Sequence, residues 1–277
     1  MHLWGMSGVD MELETWFDSN IGRVRTSNQD TVGCFPEVSL FIVADGMGGH
    51  AEGEVASRLA TEVIRARLGA DPPVTPAPRP KWFTRFFKLS RRSRTGDNAD
   101  ANHLRLAVEA ANRRVFDEGQ VREHEGGSMG TTVVALQCFL PRARASWAYV
   151  GDSRLYRARG GRLTLLTADH TLYGEPYRQG NEIPSDLPHT NRLMRAVGAQ
   201  NEVEVSTGAD DLEAGDLFLL CSDGVSGMVG AEAIEAEMTS RRSLAEIGAT
   251  LIAKALDAGG KDNASVVLVR VRDGDAS

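Results

Sequence analysis

The sequence predicts an α+β fold in which antiparallel strands and helices stack in layers. Three features predict it: apolar runs follow one another across turns too short for a crossover helix, helical periodicity returns at separate places, and the chain is long enough for one sizeable core. At 277 residues with 42% hydrophobic content, it suits one large domain better than two small ones.

In chain order, Glu12 to Phe17 and Leu40 to Ala44 read as strands. Gly53 to Leu68 reads as a helix, with Val55, Leu59, Val63 and Ile64 near the 3.6-residue period. Asn98 to Glu118 is a second helix with Leu104, Leu106, Val108, Val115 and Phe116 as its apolar face. Strands follow at Thr131 to Phe139, Ala143 to Val150, Arg154 to Arg159 and Leu163 to Thr167, and Arg159-Gly160-Gly161-Arg162 signals a hairpin. Further strands are expected at Glu202 to Thr207 and Asp216 to Cys221. Ser243 to Leu256 is a helix with Leu244, Ile247, Leu251 and Ala255 on one face, and Ala264 to Val271 is the last strand.

Aspartates mark the ends of these runs: Asn28-Gln29-Asp30, Ala44-Asp45-Gly46, Gly151-Asp152-Ser153-Arg154, Cys221-Ser222-Asp223-Gly224 and Lys261-Asp262-Asn263. One Asp-Gly alone is usually a turn, because Asp bonds its own backbone and Gly accepts positive φ. Carboxylates gathered at the ends of buried strands repel one another and are costly to desolvate unless a cation sits between them. The pattern therefore reads as a metal site, and oxygen-only donors suit magnesium or manganese rather than zinc or copper. Two such ions about 3.5 to 4 Å apart clamp a phosphate and activate a water, so phosphate-ester hydrolysis is the reaction expected.

Composition excludes other classes. No apolar run approaches the ~20 residues that span a bilayer. The opening Met1 to Met6 lacks the basic and apolar regions of a signal peptide, so the expected location is cytoplasmic. Cys34, Cys138 and Cys221 are far apart with no zinc or redox spacing, and Cys138 and Cys221 read as small buried hydrophobes. A net charge of −7 argues against nucleic acid as a partner.

The stretches Gly22 to Asp30, Val43 to His50, Gly127 to Thr132, Ala148 to Arg154, Thr167-Ala168-Asp169-His170, Leu219 to Gly224 and Gly259 to Ser265 occur in the order found in one family. Over about residues 12 to 271 the chain resembles a metal-dependent protein phosphatase of the PPM family, the type 2C Ser/Thr phosphatases, in its compact bacterial form. The resemblance implies a four-layer α/β/β/α sandwich of two stacked antiparallel sheets flanked by helix pairs, with two manganese or magnesium ions at one end. It implies that Asp45 bridges the ions, that the Gly46 carbonyl joins one of them, and that Asp223 and Asp262 serve the other. Asp30 would hold a metal-bound water, and Asp152 with Asp223 would form a third-metal site. Arg25 resembles the phosphate-binding arginine and His50 the general acid. Gln29 stands where many relatives carry Glu, which implies contact through water at that position.

Two segments depart from the pattern. Residues 71–97 hold five prolines, the tract Lys81-Trp82-Phe83-Thr84-Arg85-Phe86-Phe87-Lys88 and then Arg91-Arg92-Ser93-Arg94; they read as an insertion outside the core, with residues 81–94 a weaker candidate for membrane contact. Residues 171–190 occupy the place of the family's flap beside the active site. The expected organisation is an N-terminal extension over 1–11 and one catalytic domain over 12–277. The expected activity is hydrolysis of phosphoserine and phosphothreonine on proteins by metal-activated water, by a monomer that opposes a Ser/Thr kinase. A pseudophosphatase that binds phosphoproteins without turnover is the alternative, and the full set Arg25, Asp30, Asp45, Asp223 and Asp262 argues against it. A two-metal nuclease would want basic surface and meets an acidic chain instead.

Overall fold

The computed structural model describes residues 11–48, 52–69, 97–123, 129–172, 174 and 192–274. The first sheet runs β1 (Met11–Asn20), β11 (Ala264–Asp273), β10 (Leu217–Cys221), β7 (Arg154–Arg159), β8 (Arg162–Leu165). The second runs β2 (Asp30–Phe35), β3 (Leu40–Gly48), β5 (Val133–Phe139), β6 (Arg144–Val150), β9 (Ser206–Asp211), with the short β4 (Met129–Thr131) paired to the end of β3. Every named pair is antiparallel.

The central strands are apolar on both faces because both faces are covered. In β3, Leu40, Ile42 and Ala44 pack under α1 (Glu52–Gly69) and α2 (Asp97–Glu123), while Phe41 and Val43 face the other sheet. In β10, Phe218 and Leu220 join that inter-sheet core with Leu136, Leu155 and Val267, while Leu217 and Leu219 meet the second helical layer. That layer holds α3 (Asp223–Ser226), α4 (Ala231–Met238) and α5 (Leu244–Asp257). Three separate cores therefore define four layers, α/β/β/α. Truncating a fully buried ring such as Phe218 to alanine costs about 3–5 kcal/mol.

Helix α1 buries Gly53, Ala56, Ser57, Ala60 and Thr61, small side chains that let it lie close on its sheet. Helix α5 opens on a capping box: the Ser243 side chain accepts from the Glu246 N–H while the Glu246 carboxylate accepts from the Ser243 N–H. Cys138 and Cys221 are buried free thiols, each pushed up to about 12 by burial, and Cys34 is a half-buried free thiol.

Several elements differ from expectation. The strand expected at Glu202 to Thr207 lies at Ser206–Asp211, where the backbone pairs with β6. Val203 and Val205 alternate with glutamates because they pack into the α1/α2 core from an irregular segment. Leu106 is 48% exposed, and Ala101, Ala107 and Ala111 complete the buried face of α2 instead. The single strand expected over Thr131 to Phe139 breaks at Thr132. β2, α3 and α4 carry too little periodic signal to be read, and Met11, expected in the extension, begins β1.

The two helices of the first layer leave the sandwich at one pole. Gly69, at the end of α1, shares a groove of about 440 Å³ with Phe35, Glu37 and Val38 of the β2–β3 turn. Near the start of α2, buried Asp100 accepts from Arg142 of the β5–β6 turn at 3.0 Å. The residues that flank segment 70–96 thus lie at the opposite ends of β2 and β3 from Asp30 and Asp45; the segment itself lies outside the described residues.

Candidate active site

Asp30 opens β2 and pairs directly with Asp45 on β3. Asp45 is fixed through its peptide group: its N–H donates to Thr132 Oγ1 at 3.0 Å, and its carbonyl accepts from Thr132 N–H at 2.8 Å and Thr131 Oγ1 at 2.9 Å. These bonds explain the break at Thr132, whose peptide turns aside to hold Asp45. Gly46 is dictated by space, since a Cβ there would lie 2.0 Å from the Gly53 carbonyl oxygen. Its absence lets α1 close against the strand end.

Asp223 and Asp262 come from the other sheet. Asp223 is the first residue of α3, directly after β10, and Asp262 lies in the turn before β11. A Cβ on Gly224 would sit 1.9 Å from the Asn263 carbonyl oxygen, so the glycine sets how closely the two turns approach. Asn263 is buried and works as a clamp. Its Oδ1 accepts from Gln29 N–H at 2.8 Å, and its Nδ2 donates to the carbonyls of Ile21 and Ser27 at 2.9 and 3.0 Å. The loop that carries Arg25 is thereby pinned beside Asp262, which accepts from Arg25 Nη2 at 2.7 Å.

Asp152 stands in the β6–β7 turn and is buried. Next to it, Ser153 Oγ and Thr132 Oγ1 are 2.7 Å apart, and Gly151 N–H donates to His170 Nδ1 at 3.1 Å. Arg154 grips Asp169 with two bonds of 2.9 and 2.7 Å.

Burial and like charge raise these carboxyl groups. Asp30 is pushed up to about 6, chiefly by burial, with Asp223 and Asp262 adding repulsion and hydrogen bonds from Ser265 and Ser222 opposing it. Asp152 rises to about 7 through burial and then through Asp223 and Asp169. Asp45 is held well above the carboxylate range by burial and by Asp30, Asp223, Asp262 and Asp152, and Asp223 is raised by burial and by Asp262. Arg25 is raised in turn, first by its bond to Asp262.

A divalent cation reverses each of these penalties. Two buried oxygens, Asp30 Oδ1 and Asp223 Oδ1, have no hydrogen-bond partner, and the donor set is oxygen throughout. In chemistry the residues fit a hard cation such as manganese or magnesium. Among the described residues, no three Asp, Glu, His or Cys side chains close on one point as a ligand shell; Ser222 donates to Asp30 at 2.8 Å and Arg25 to Asp262.

Of the residues read from the sequence, Arg25, Asp30, Asp45, Gly46, Asp152, Asp223 and Asp262 come together at one end of the sandwich. His50 lies outside the described residues, as does most of segment 171–190. Sequence reading assigned no role to Ser222, Asn263, Thr132 or His170. Ser222, Asn263 and His170 each adjoin an aspartate in the sequence, whereas Thr132 has no such neighbour and meets Asp45 only in the fold.

The family model described as protein phosphatase 2C matches residues 22–264. The chain belongs to the protein phosphatase 2C family. It is 34% identical over 259 residues to the serine/threonine phosphatase stp of Listeria welshimeri, covering 91% of this chain and 94% of that one. It is 31% identical over 265 residues to the protein phosphatase PhpP of Streptococcus pneumoniae, covering 93% and 97%. Among solved structures, the Mycobacterium tuberculosis serine/threonine phosphatase PstP/Ppp matches with a TM-score of 0.76 at 33% identity, covering 94% of this chain and 99% of that one. The PstP catalytic domain in complex with two manganese ions matches at 0.74 and 32%, covering 95% and 100%.

Proposed function

We propose that this chain hydrolyses phosphoserine and phosphothreonine on proteins, using two manganese or magnesium ions. The observation that carries this reading is the strand-end cluster of mutually repelling carboxyls with two partnerless buried oxygens, in a chain about a third identical to named Ser/Thr phosphatases. Asp45, Gly46, Asp223 and Asp262 would hold the ions, Asp30 would orient a water on them, and Asp152 with Asp223 would hold a third. When bound, such ions polarise the phosphoryl oxygens and supply a nucleophilic water at neutral pH.

The chain's own residues do the rest. Arg25 offers a planar fork that matches two phosphoryl oxygens, and its bond to Asp262 keeps that fork at the cluster. Ser222 fixes the Asp30 carboxylate by donating to one oxygen, which leaves the other to accept from water. His50 is assigned the proton that the leaving alkoxide needs.

Residues 12–277 are proposed to act as one catalytic domain carrying the insertion and the flap, in a cytoplasmic monomer that opposes a Ser/Thr kinase in signalling. No helix among the described residues is long and apolar enough to cross a membrane. Membrane contact by residues 81–94 is the weaker reading of that tract. Hydrolysis of para-nitrophenyl phosphate and of a phosphothreonine peptide, with manganese and after chelation, tests the proposal. Phosphopeptide binding without manganese-dependent turnover would instead establish a pseudophosphatase.

A further inference from the structure

His170 makes contacts with three separate parts of the molecule although only 2% of it is exposed. Its backbone N–H donates to the Gly151 carbonyl at 2.9 Å while its Nδ1 accepts from the Gly151 N–H, a reciprocal pair on the residue before Asp152. With Nδ1 accepting, a neutral ring carries its proton on Nε2, which faces Ser206 Oγ at 3.0 Å and lies 3.5 Å from Arg195 Nη1. The ring stacks on Tyr149 with centroids 4.9 Å apart. Its carbonyl accepts from Met194 N–H at 2.8 Å, next to the bridge between Thr171 and Leu193.

The turn held by His170 does not end at Asp152. Ser153 Oγ meets Thr132 Oγ1, and that same hydroxyl accepts from the Asp45 N–H. Asp45 on β3 and Asp152 in the β6–β7 turn thus share one hydrogen-bonded frame, with the imidazole at its outer end.

We propose that His170 is a positioning residue that, through Gly151 and the Ser153–Thr132 hydroxyl pair, holds the Asp152 and Asp45 carboxylates in register for metal binding. The inference rests on reading Asp45 and Asp152 as ligands. Outer partners of this kind typically change metal affinity by about 10–100-fold when removed. The acceptor at Nδ1 carries the effect; ring packing on Tyr149 carries stability instead. The two contributions separate by substitution. His170→Asn keeps an acceptor near the Nδ1 position and loses the stacked ring, whereas His170→Phe keeps the ring and has no acceptor.

The test is manganese titration calorimetry on the full chain after chelation and dialysis, beside thermal melting without metal. His170→Phe should bind manganese about 10–100-fold more weakly than wild type while melting higher than His170→Asn. His170→Asn, whose amide oxygen remains an acceptor, should bind manganese close to wild type despite its lower melting temperature. Thr132→Val, which removes the hydroxyl at constant shape, should weaken manganese in the same range as His170→Phe and decides the matter if the Phe variant does not fold. Wild-type affinity in His170→Phe or Thr132→Val, or affinity that follows melting temperature across the set, overturns the proposal. A wild-type protein that binds no manganese removes the metal reading itself, a different failure visible in the first titration.

Discussion

Asp30 and Asp45 are direct partners on one rung of the β2–β3 ladder. Like charges directly opposite destabilise a strand pair, so this rung exists at the expense of stability. In chelator, Asp45→Asn should therefore melt higher than wild type by about 2–4 °C for each kcal/mol relieved. In manganese the same variant should lose at least about a hundredfold in kcat, more than an outer partner would cost. Near-wild-type turnover would remove Asp45 from the metal site.

The raised carboxyls set a pH profile. A carboxyl raised in the folded state binds protons more tightly there than in the unfolded chain, so its contribution is fully present below the ordinary value of 3.8 and is lost as pH rises through about 6 for Asp30 and about 7 for Asp152. Chelated protein should lose melting temperature steadily between pH 5 and about 7.5. Saturating manganese should flatten or reverse that slope, because metal competes with protons for the same oxygens. A chelated profile rising across this window would contradict the assigned shifts.

Arg25 is half-exposed, so its pair with Asp262 contributes little to folding. Arg25→Ala should leave the melting temperature near wild type and raise KM for phosphopeptide about tenfold, the value of one charge-assisted bond. Arg25→Lys should recover only part of that loss. Unchanged KM would show that phosphate is held elsewhere.

Gly224→Ala places a methyl 1.9 Å from the Asn263 carbonyl oxygen. The overpacking should cost about 1–3 kcal/mol in a thermal or urea melt. Since the same displacement parts Asp223 from Asp262, manganese affinity should fall as well. Stability and affinity both at wild-type level would mean that the turns separate freely.

Removing residues 72–94 and rejoining the helices with a short Gly/Ser link should spare hydrolysis of para-nitrophenyl phosphate, because both flanks lie at the pole away from the carboxylates. Kinetics of the deletion variant checks this. A large loss of kcat with the fold retained would place the segment near the chemistry.

Leu40 to Ala44 and Asp216 to Cys221 were legible as strands from their apolar runs, while the four-layer stacking came from the family resemblance; these strands are apolar on both faces because both are covered. Leu106 and the Glu202 to Thr207 run misled for opposite reasons. A single exposed leucine costs little, and an irregular segment beside a helix also alternates its apolar residues. The aspartates were legible as turn residues at strand ends. Asn263, Ser222 and Thr132 were not, since a hydroxyl or amide gains its role only from long-range neighbours: Asn263 holds Gln29, and Thr132 holds Asp45.

The pairing of β1 with β11 bears on the order in which the molecule can be made. Met11 meets Asp273 and Asn20 meets Ala264, so the first sheet joins nearly the whole length of the chain. During synthesis β1 emerges with its neighbour still untranslated, and β10 waits for the same strand. Asp30 and Asp45 are in place early, whereas Asp262 arrives only with the turn that leads into β11. Closure over such sequence separation is slow, and until β11 docks Asp262 is missing from the carboxylates gathered by the earlier strands. A fragment that ends before Asp262 should therefore show no manganese-dependent hydrolysis of para-nitrophenyl phosphate, and turnover by such a fragment would show that the site forms without the β11 turn.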